Sequence, residues 1–425
     1  MAAERRDFGR LWGAQAISNL GDGVRSVAFP WLASLLTRDP LLIALVGAAT
    51  QAAWIVFPLV AGGLADRFER KRIIALSLTA QFIVTSLLAA VVFMGRDSLG
   101  LPSEPIVLSG ARWWLVLLAV AGFVLSLSEV LRDVAAQAFL PDLVEGEWLE
   151  TANGRLFAAE TVTERLMGPP LGGLLLAASV WIPFGFDAAT FVLSAFLVGS
   201  ISKRSTAAPR DRLVRMRSQV GDAIRWLWNH RILRSMTLAL TVNNFLNALA
   251  FTTFVLFVQE VIGLGAVGFA LISTGGAIAG VAASVTASTV IERLGRGRLM
   301  VTIPVVSALM LIATGLTSSG WVVWLALIPT FFLGTVWSVL SRSLRQRLTP
   351  NDMQGRVTGA HRTLNFGFLP VGSLVGGAIV AVVEAPIGRE WALRLPFFVA
   401  ATGLLLLVPF VRHNLSESLI SDALA

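Results

Sequence analysis

The sequence predicts an all-α integral membrane protein of twelve transmembrane helices, arranged as two pseudo-symmetric halves of six. Three observations carry that prediction. Of the 425 residues, 55% are hydrophobic and only 14% charged, whereas an ordinary soluble domain carries about 25% charge. Apolar runs long enough to cross a hydrocarbon core, roughly 20 residues each, recur twelve times along the chain. A basic, less apolar stretch at 203–234 divides them six and six.

The runs lie near 8–36, 41–61, 73–95, 112–131, 153–178 and 181–201, then 235–260, 264–291, 299–317, 320–340, 359–383 and 391–411. Pro30, Pro58, Pro169 and Pro370 fall inside them, which a membrane helix tolerates where neighbours re-satisfy the freed backbone groups. No segment shows the alternating pattern that a membrane barrel needs.

Arginine sets the orientation. With the N-terminus in the cytoplasm, alternate loops collect Arg5, Arg6 and Arg10, then Arg67, Arg70, Lys71 and Arg72, then Arg132 and Arg155, the central stretch, Arg293, Arg296 and Arg298, then Arg342, Arg345, Arg347, Arg356 and Arg362, and Arg412 in the tail. The opposite face keeps only Arg38, Arg96, Arg112, Arg389 and Arg394. The positive-inside rule therefore puts both termini in the cytoplasm of a multi-pass protein in the cell inner (plasma) membrane, with the first run as an uncleaved helix.

Composition excludes several classes of function. The absence of cysteine removes disulfides and thiolate sites. His230, His361 and His413 are too scattered to suggest a metal centre, so no metal and no cofactor are expected. Lys71 and Lys203 are the only lysines and each precedes arginine, so no phosphate-binding loop can end in Gly-Lys-Ser/Thr. The net charge of +8 is spread over short clusters rather than one patch, which argues against nucleic acid. Gly263-Leu264-Gly265-Ala266-Val267-Gly268 spells a dinucleotide fingerprint but lies between two spans with no strand before it. No catalytic constellation emerges, so an enzyme is not expected.

The domain reading is a first six-helix half at 1–202, a cytoplasmic linker at 203–234 and a second half at 235–425. Leu213, Met216, Val220, Ile224 and Leu227 recur at helical spacing among arginines, as in an amphipathic helix lying on an anionic inner leaflet. The halves look like repeats. Asp66, Arg67, Arg70 and Arg72 match Glu292, Arg293, Arg296 and Arg298, while Gly154-Arg155 matches Gly355-Arg356 and Pro169 matches Pro370. A parallel repeat of this kind places a substrate site between the halves near the midplane.

Gly62-Gly63-Leu64-Ala65-Asp66-Arg67-Phe68-Glu69-Arg70-Lys71-Arg72 resembles the loop 2–3 signature of the major facilitator superfamily, with Gly62, Asp66, Arg67, Arg70 and Lys71 matching and Glu69 in a position usually glycine. The resemblance implies a charged cytoplasmic latch, echoed by Glu292, Arg293 and Arg296. Gly168-Pro169-Pro170-Leu171-Gly172-Gly173 is similar to the antiporter signature of that superfamily's exporters, although Glu164 stands where the full pattern has glycine. Gly168, Pro169, Gly172 and Gly173 read equally as a helix-packing motif. Asn19-Leu20-Gly21-Asp22-Gly23, Ala136 to Asp142 and Gln346 to Val357 resemble the branch holding the enterobactin exporter and macrolide-efflux proteins.

Ionisable groups inside a bilayer cost several kcal/mol and mark pathways or buried pairs. Asp22 lies about 20 Å along the first span from Phe8, with Arg25 one turn on. Glu160 and Glu164 share a face of span 5 beside Arg165. Asp22, Glu164, Glu160 and Asp187 are the candidates for proton coupling, Glu164 foremost. Arg25, Arg165, Asn243, Asn244 and Asn247 are candidates for lining a substrate cavity. Glu129, Arg132 and Asp133, toward the cytoplasmic end of span 4, suit a gate. The leading expectation is a monomeric secondary transporter exporting a hydrophobic or amphipathic small molecule in exchange for protons. An uptake permease, a lipid flippase and a non-transporting sensor or scaffold remain open alternatives.

Overall fold

The computed structural model describes residues 2–95, 111–144, 148–203, 224–350 and 353–424, with side chains described except at 2–5, 56, 59, 66, 111, 112, 150, 355, 356 and 424. Among these residues there is no β-strand. The helices are α1 (Ala2–Leu36), α2 (Pro40–Arg67), α3 (Arg70–Met94), α4 (Ala111–Leu143), α5 (Leu149–Glu160), α6 (Gly168–Ala178), α7 (Ile182–Gly199) and α8 (Arg231–Phe251). They continue with α9 (Ala266–Leu294), α10 (Arg296–Leu316), α11 (Gly320–Leu348), α12 (Gln354–Gly367), α13 (Leu369–Ile387), α14 (Arg389–Asn414) and α15 (Glu417–Leu424). Two π-helical segments, Thr161–Met167 and Phe257–Ile262, interrupt the fifth and seventh apolar runs.

Nine helices among the described residues are long and apolar enough to cross a membrane, and Pro40–Ile55 is a shorter apolar helix. The other two predicted runs are also helical, but they carry Asp22 and Arg25, and Glu160, Glu164 and Arg165. The break in the fifth run has a local cause. Pro169 and Pro170 have no N–H to bond back into the preceding turn, and the chain widens into a π segment immediately before them.

Packing divides the chain into two units. The first comprises Met1–Arg38, Leu45–Asp211 and Leu264–Thr274; the second comprises Asp39–Ala44, Arg212–Gly263 and Gly275–Ala425. The opening turns of α9 thus pack with the first unit, and the start of α2 with the second.

In the first unit, α1 lies along α6 and α7, while α3 packs between α4 and α7. Its ends are tied together. Asp7 accepts from the backbone N–H groups of Ser202 and Lys203 at 3.0–3.2 Å, and Arg10 donates to the carbonyl of Ser200 at 2.6 Å. In the second unit, α8 packs on α13 and α14, and α10 on α11 and α14. Here the closing contact is Glu417 of α15, which accepts from Gly297 N–H at the start of α10.

Much of the predicted linker, including Leu213, Met216 and Val220, lies outside the described residues. Its last part, 224–229, is helical. Leu227 there is buried in the second unit's core with Ile232, Leu233 and Met236, instead of facing a membrane surface as expected.

Glycines set the closest helix approaches, in the same pattern in both units. Gly168 and Gly172 lie against Gly23 and Val24 of α1, and Gly173 lies against Ala266, Val267 and Ala270 of α9. Gly372 and Gly376 lie against the carbonyls of Phe245 and Leu249 in α8, and Gly377 lies against Pro40, Leu41 and Ala44 of α2. The spacing Gly-x-x-x-Gly-Gly is therefore used twice, whereas the sequence analysis singled out only the first copy.

A Cβ at Gly172 would sit 2.8 Å from the carbonyl oxygen of Val24, whereas one at Gly154 would meet nothing within 4 Å. Gly172→Val is therefore expected to cost about 1–3 kcal/mol through overpacking. Gly154→Ala, within α5, is expected to be neutral or to stabilise by up to ~1 kcal/mol. Unfolding midpoints of the purified variants check the pair.

Candidate functional site

Four carboxylates and two guanidiniums meet inside the first unit. Asp22 and Arg25 come from α1, Glu129, Arg132 and Asp133 from α4, and Asp187 from α7. The site begins with a sequence constraint. In Asn19-Leu20-Gly21-Asp22-Gly23, a Cβ at Gly21 would overlap the Asp187 carboxylate and the Thr190 hydroxyl, and one at Gly23 would overlap the backbone carbonyl of Glu164. Both glycines let neighbouring helices reach α1 at the level of Asp22.

Arg132 is the most buried of the charged groups on α4, at 2% exposure. It donates to Asp22 Oδ2 at 2.8 Å, to Asp133 Oδ1 at 3.2 Å and to Gln81 Oε1 of α3 at 3.4 Å. Arg25 holds three carboxylates. It lies 2.6 Å from Asp22 Oδ1, without the alignment of a hydrogen bond, and it donates to Glu129 Oε2 at 3.0 Å and to Asp187 Oδ2 at 3.2 Å. Its guanidinium also stands 5.8 Å from the centre of the Phe191 ring.

Delocalised, forked cations suit such sharing, because each guanidinium offers several donors at fixed angles. Asp187 is fully buried and its Oδ1 has no hydrogen-bond partner among the described residues. Gln81 Nε2 and Thr85 Oγ1 of α3 are likewise unsatisfied. The network therefore carries spare hydrogen-bonding capacity on two sides. Glu129 and Asp133, with side chains 22% and 28% exposed, are its accessible members.

The sequence pattern that defines the Major Facilitator Superfamily matches residues 11–368. The chain belongs to the major facilitator superfamily. It is 25% identical over 377 residues to the multidrug efflux pump Tap of Mycobacterium tuberculosis (strain ATCC 25618 / H37Rv), covering 86% of this chain and 85% of that protein. The corresponding pump of Mycolicibacterium fortuitum is 23% identical over 382 residues, covering 86% and 87%. Among solved structures, a bacterial homologue of the iron transporter ferroportin in an inward-facing state superposes with a TM-score of 0.72 at 19% identity, covering 96% of this chain and 98% of that one. A bacterial homologue of the human lysosomal transporter Spinster gives 0.72 at 13% identity, covering 99% and 98%. These superpositions show a shared fold. The chain is a membrane-spanning transporter of the superfamily, and not an enzyme.

The superfamily's loop 2–3 signature has a defined place within the first unit. Arg70 donates to the Ala138 carbonyl at 2.9 Å and to the Asp142 carboxylate at 2.8 Å, at the end of α4. Lys71 donates to the carbonyls of Gly199 and Ile201 at the end of α7. Both cations thus meet the negative ends of helix dipoles. Arg67 is exposed, Gly62 is half-buried with open space beside it, and the side chain of Asp66 lies outside the described ones. Glu292 and Arg293 are exposed at the end of α9, with Arg296 half-buried at the start of α10.

Several candidates fall elsewhere than the sequence suggested. Glu129 and Arg132 belong to the buried network, and Arg132 lies about 16 Å before the end of α4 rather than at a helix end. Glu164 and Glu160 stand outside the network. Arg165 pairs with Glu160 at 3.3 Å, and Glu164, half-buried on the π segment, has no ion pair among the described residues. In the second unit, Asn244 donates to the Asn365 carbonyl at 3.2 Å and Asn247 folds back onto the carbonyl of Asn243. Asn365 also accepts from Thr241, and His361 bonds Thr237 at 2.8 Å. Gln81, which orients Arg132, escaped the sequence analysis, although a lone glutamine inside an apolar run was a signal for it.

Removing one partner of a buried ion pair costs about 3–5 kcal/mol, because the other charge is left uncompensated. Arg132→Gln is expected to destabilise by that order, and Asp22→Asn/Arg132→Gln by less than the sum of the two single changes. A double-mutant cycle on unfolding midpoints checks the coupling.

Proposed function

We propose that this transporter exports a hydrophobic or amphipathic small molecule in exchange for protons, by alternating access. The observation that carries the reading is the charge count of the buried network: four carboxylates share two guanidiniums. Fully ionised, the cluster holds an excess of negative charge in surroundings where an uncompensated charge costs several kcal/mol. Proton uptake by one carboxylate relieves that excess, and proton loss restores it.

Arg25 is the shared contact of Asp22, Glu129 and Asp187. When Glu129 or Asp187 takes a proton, its hold on Arg25 weakens and Asp22 gains the guanidinium. When the proton leaves, the competition returns. In this way occupancy of one carboxylate biases the contacts between α1, α4 and α7, which is what coupling a proton to a two-state movement requires. Glu164, free of ion pairs among the described residues, is a separate acceptor for a proton or for a cationic group on the cargo. Similarity to multidrug efflux pumps over most of the chain supports the direction and the broad class of cargo.

The reading places both termini in the cytoplasm of the inner (plasma) membrane, following the arginine distribution. It takes the working unit as one chain whose basic linker faces an anionic leaflet. The loop 2–3 signature and its counterpart Glu292, Arg293 and Arg296 serve as the cytoplasmic latch. Asn243, Asn244, Asn247 and Arg165 line the route of the cargo.

In an efflux-deficient host, wild type is expected to lower accumulation of amphipathic drugs severalfold, and a proton uncoupler to abolish the effect. Asp22→Asn, Glu129→Gln and Asp187→Asn at matched expression are expected to lose at least tenfold in transport rate, whereas Glu164→Gln loses mainly cationic compounds. Greater accumulation with wild type than without it would turn the reading to uptake. Full export by all four variants would remove these residues from proton coupling.

A further inference from the structure

The interior of the second unit holds a line of unsatisfied donors. On α11, Trp337, Ser341 and Arg345 recur at every fourth residue, so they follow one face of the helix with successive members about 6 Å apart, and Thr349, just past the end of the helix, follows Arg345 with its N–H bonded to the Arg345 carbonyl. Ser341 is 2% exposed, Thr349 5% and Trp337 6%. The Ser341 and Thr349 hydroxyls, the Trp337 indole N–H and the Arg345 Nε–H are all buried without a hydrogen-bond partner among the described residues. Arg345 has no ion pair among them either. Instead Arg342 and Arg347 flank it, and His361 of α12 lies within its electrostatic reach with Nδ1 engaged by Thr237.

Buried donors without acceptors are rare in folded proteins, and each costs about 1–3 kcal/mol. Here four follow one line, and all four can donate. A helical side chain tilts toward the N-terminus of its helix, so the Arg345 side chain starts out on the Ser341 side. Among the described residues this face meets no acceptor with negative charge and several lone pairs. A guanidinium flanked by hydroxyls is the donor set that a carboxylate or phosphate satisfies.

We propose that Arg345, with Ser341 and Thr349 one turn to either side, forms an anion-accepting subsite of the second unit for the carboxylate or phosphate group of an amphipathic molecule. The proposal rests on the transport reading only in taking the occupant for cargo; the binding itself is independent of proton coupling. Trp337, one turn beyond Ser341, supplies the apolar surface and one further donor at the side of the site away from Thr349.

The test is calorimetric titration of the full chain in nanodiscs of phosphatidylcholine, which contain no anionic lipid. Dodecyl phosphate is the probe, dodecanol the uncharged control and inorganic phosphate the control without a chain. Dodecyl phosphate is expected to bind at least tenfold more tightly than dodecanol. Arg345→Gln is expected to remove that preference, Arg345→Lys to retain it within about threefold, and Ser341→Ala/Thr349→Val to weaken binding severalfold. Unliganded unfolding midpoints establish that the variants are folded, and the two hydroxyl deletions keep the test valid if Arg345→Gln is not. Competition by inorganic phosphate would mark a site reading the anion alone; its absence would mark one that also needs the chain. Equal affinity for dodecyl phosphate and dodecanol, or undiminished binding by Arg345→Gln, would overturn the proposal. Export can fail in cells while this binding holds, and the reverse, so the two readings fail separately.

Discussion

Burying Arg132 determines how the first unit is built. A guanidinium at that depth must be matched by carboxylates, and the carboxylate it takes, Asp22, lies 110 residues earlier in the chain. Meeting it requires α1 and α4 to stand side by side at one level. Asp22 and Asp187 in turn hold Arg25, which fixes α7 against the same stretch of α1. Gly21 and Gly23 make that approach possible by removing the side chains that would keep α7 and the π segment away. Charge and size therefore act on the same short stretch of α1, from Gly21 to Arg25, and neither device would work without the other.

The two units share a pattern of close packing and differ in chemistry. Gly168, Gly172 and Gly173 do for α1 and α9 what Gly372, Gly376 and Gly377 do for α8 and α2. Where the first unit carries Asp22 beside this packing, the second carries neutral asparagines and threonines that bond to one another and to α12. A repeated scaffold has thus been loaded with ionisable groups on one side and neutral polar groups on the other. The π segment before Gly168 gives the first copy a wider turn and carries Glu164, which forms no ion pair among the described residues.

Hydropathy made the helices legible in the sequence, because a run of twenty apolar residues has few alternatives in a bilayer. The family was legible from the loop between α2 and α3 and from the glycines of α6. The network itself was only half legible. Asp22, Arg25 and Asp187 stood out as charges within apolar runs, but nothing local indicated that Arg132 and Glu129 would join them. Those residues sit on the last part of a long helix, and distance from a helix end cannot be read where the end itself is charged. Glu164 drew attention through its closeness to Glu160 and Arg165, a purely local pattern; of these, Arg165 pairs with Glu160, and Glu164 forms no ion pair among the described residues. The second glycine motif was missed because it lacks the paired prolines that made the first one conspicuous.

The tie between Asp7 and the backbone of Ser202 and Lys203 bears on how the unit is closed. The backbone partners of Asp7 lie 195 and 196 residues further along the chain. Arg10, three residues on, also meets the carboxylate, so the contact joins a local ion pair to the far end of the unit. The second unit repeats the arrangement, with Glu417 reaching back 120 residues to Gly297. Each unit is thus fastened by a contact between segments more than a hundred residues apart, 195 in the first and 120 in the second, so its closure is a property of the assembled unit and of no single helix.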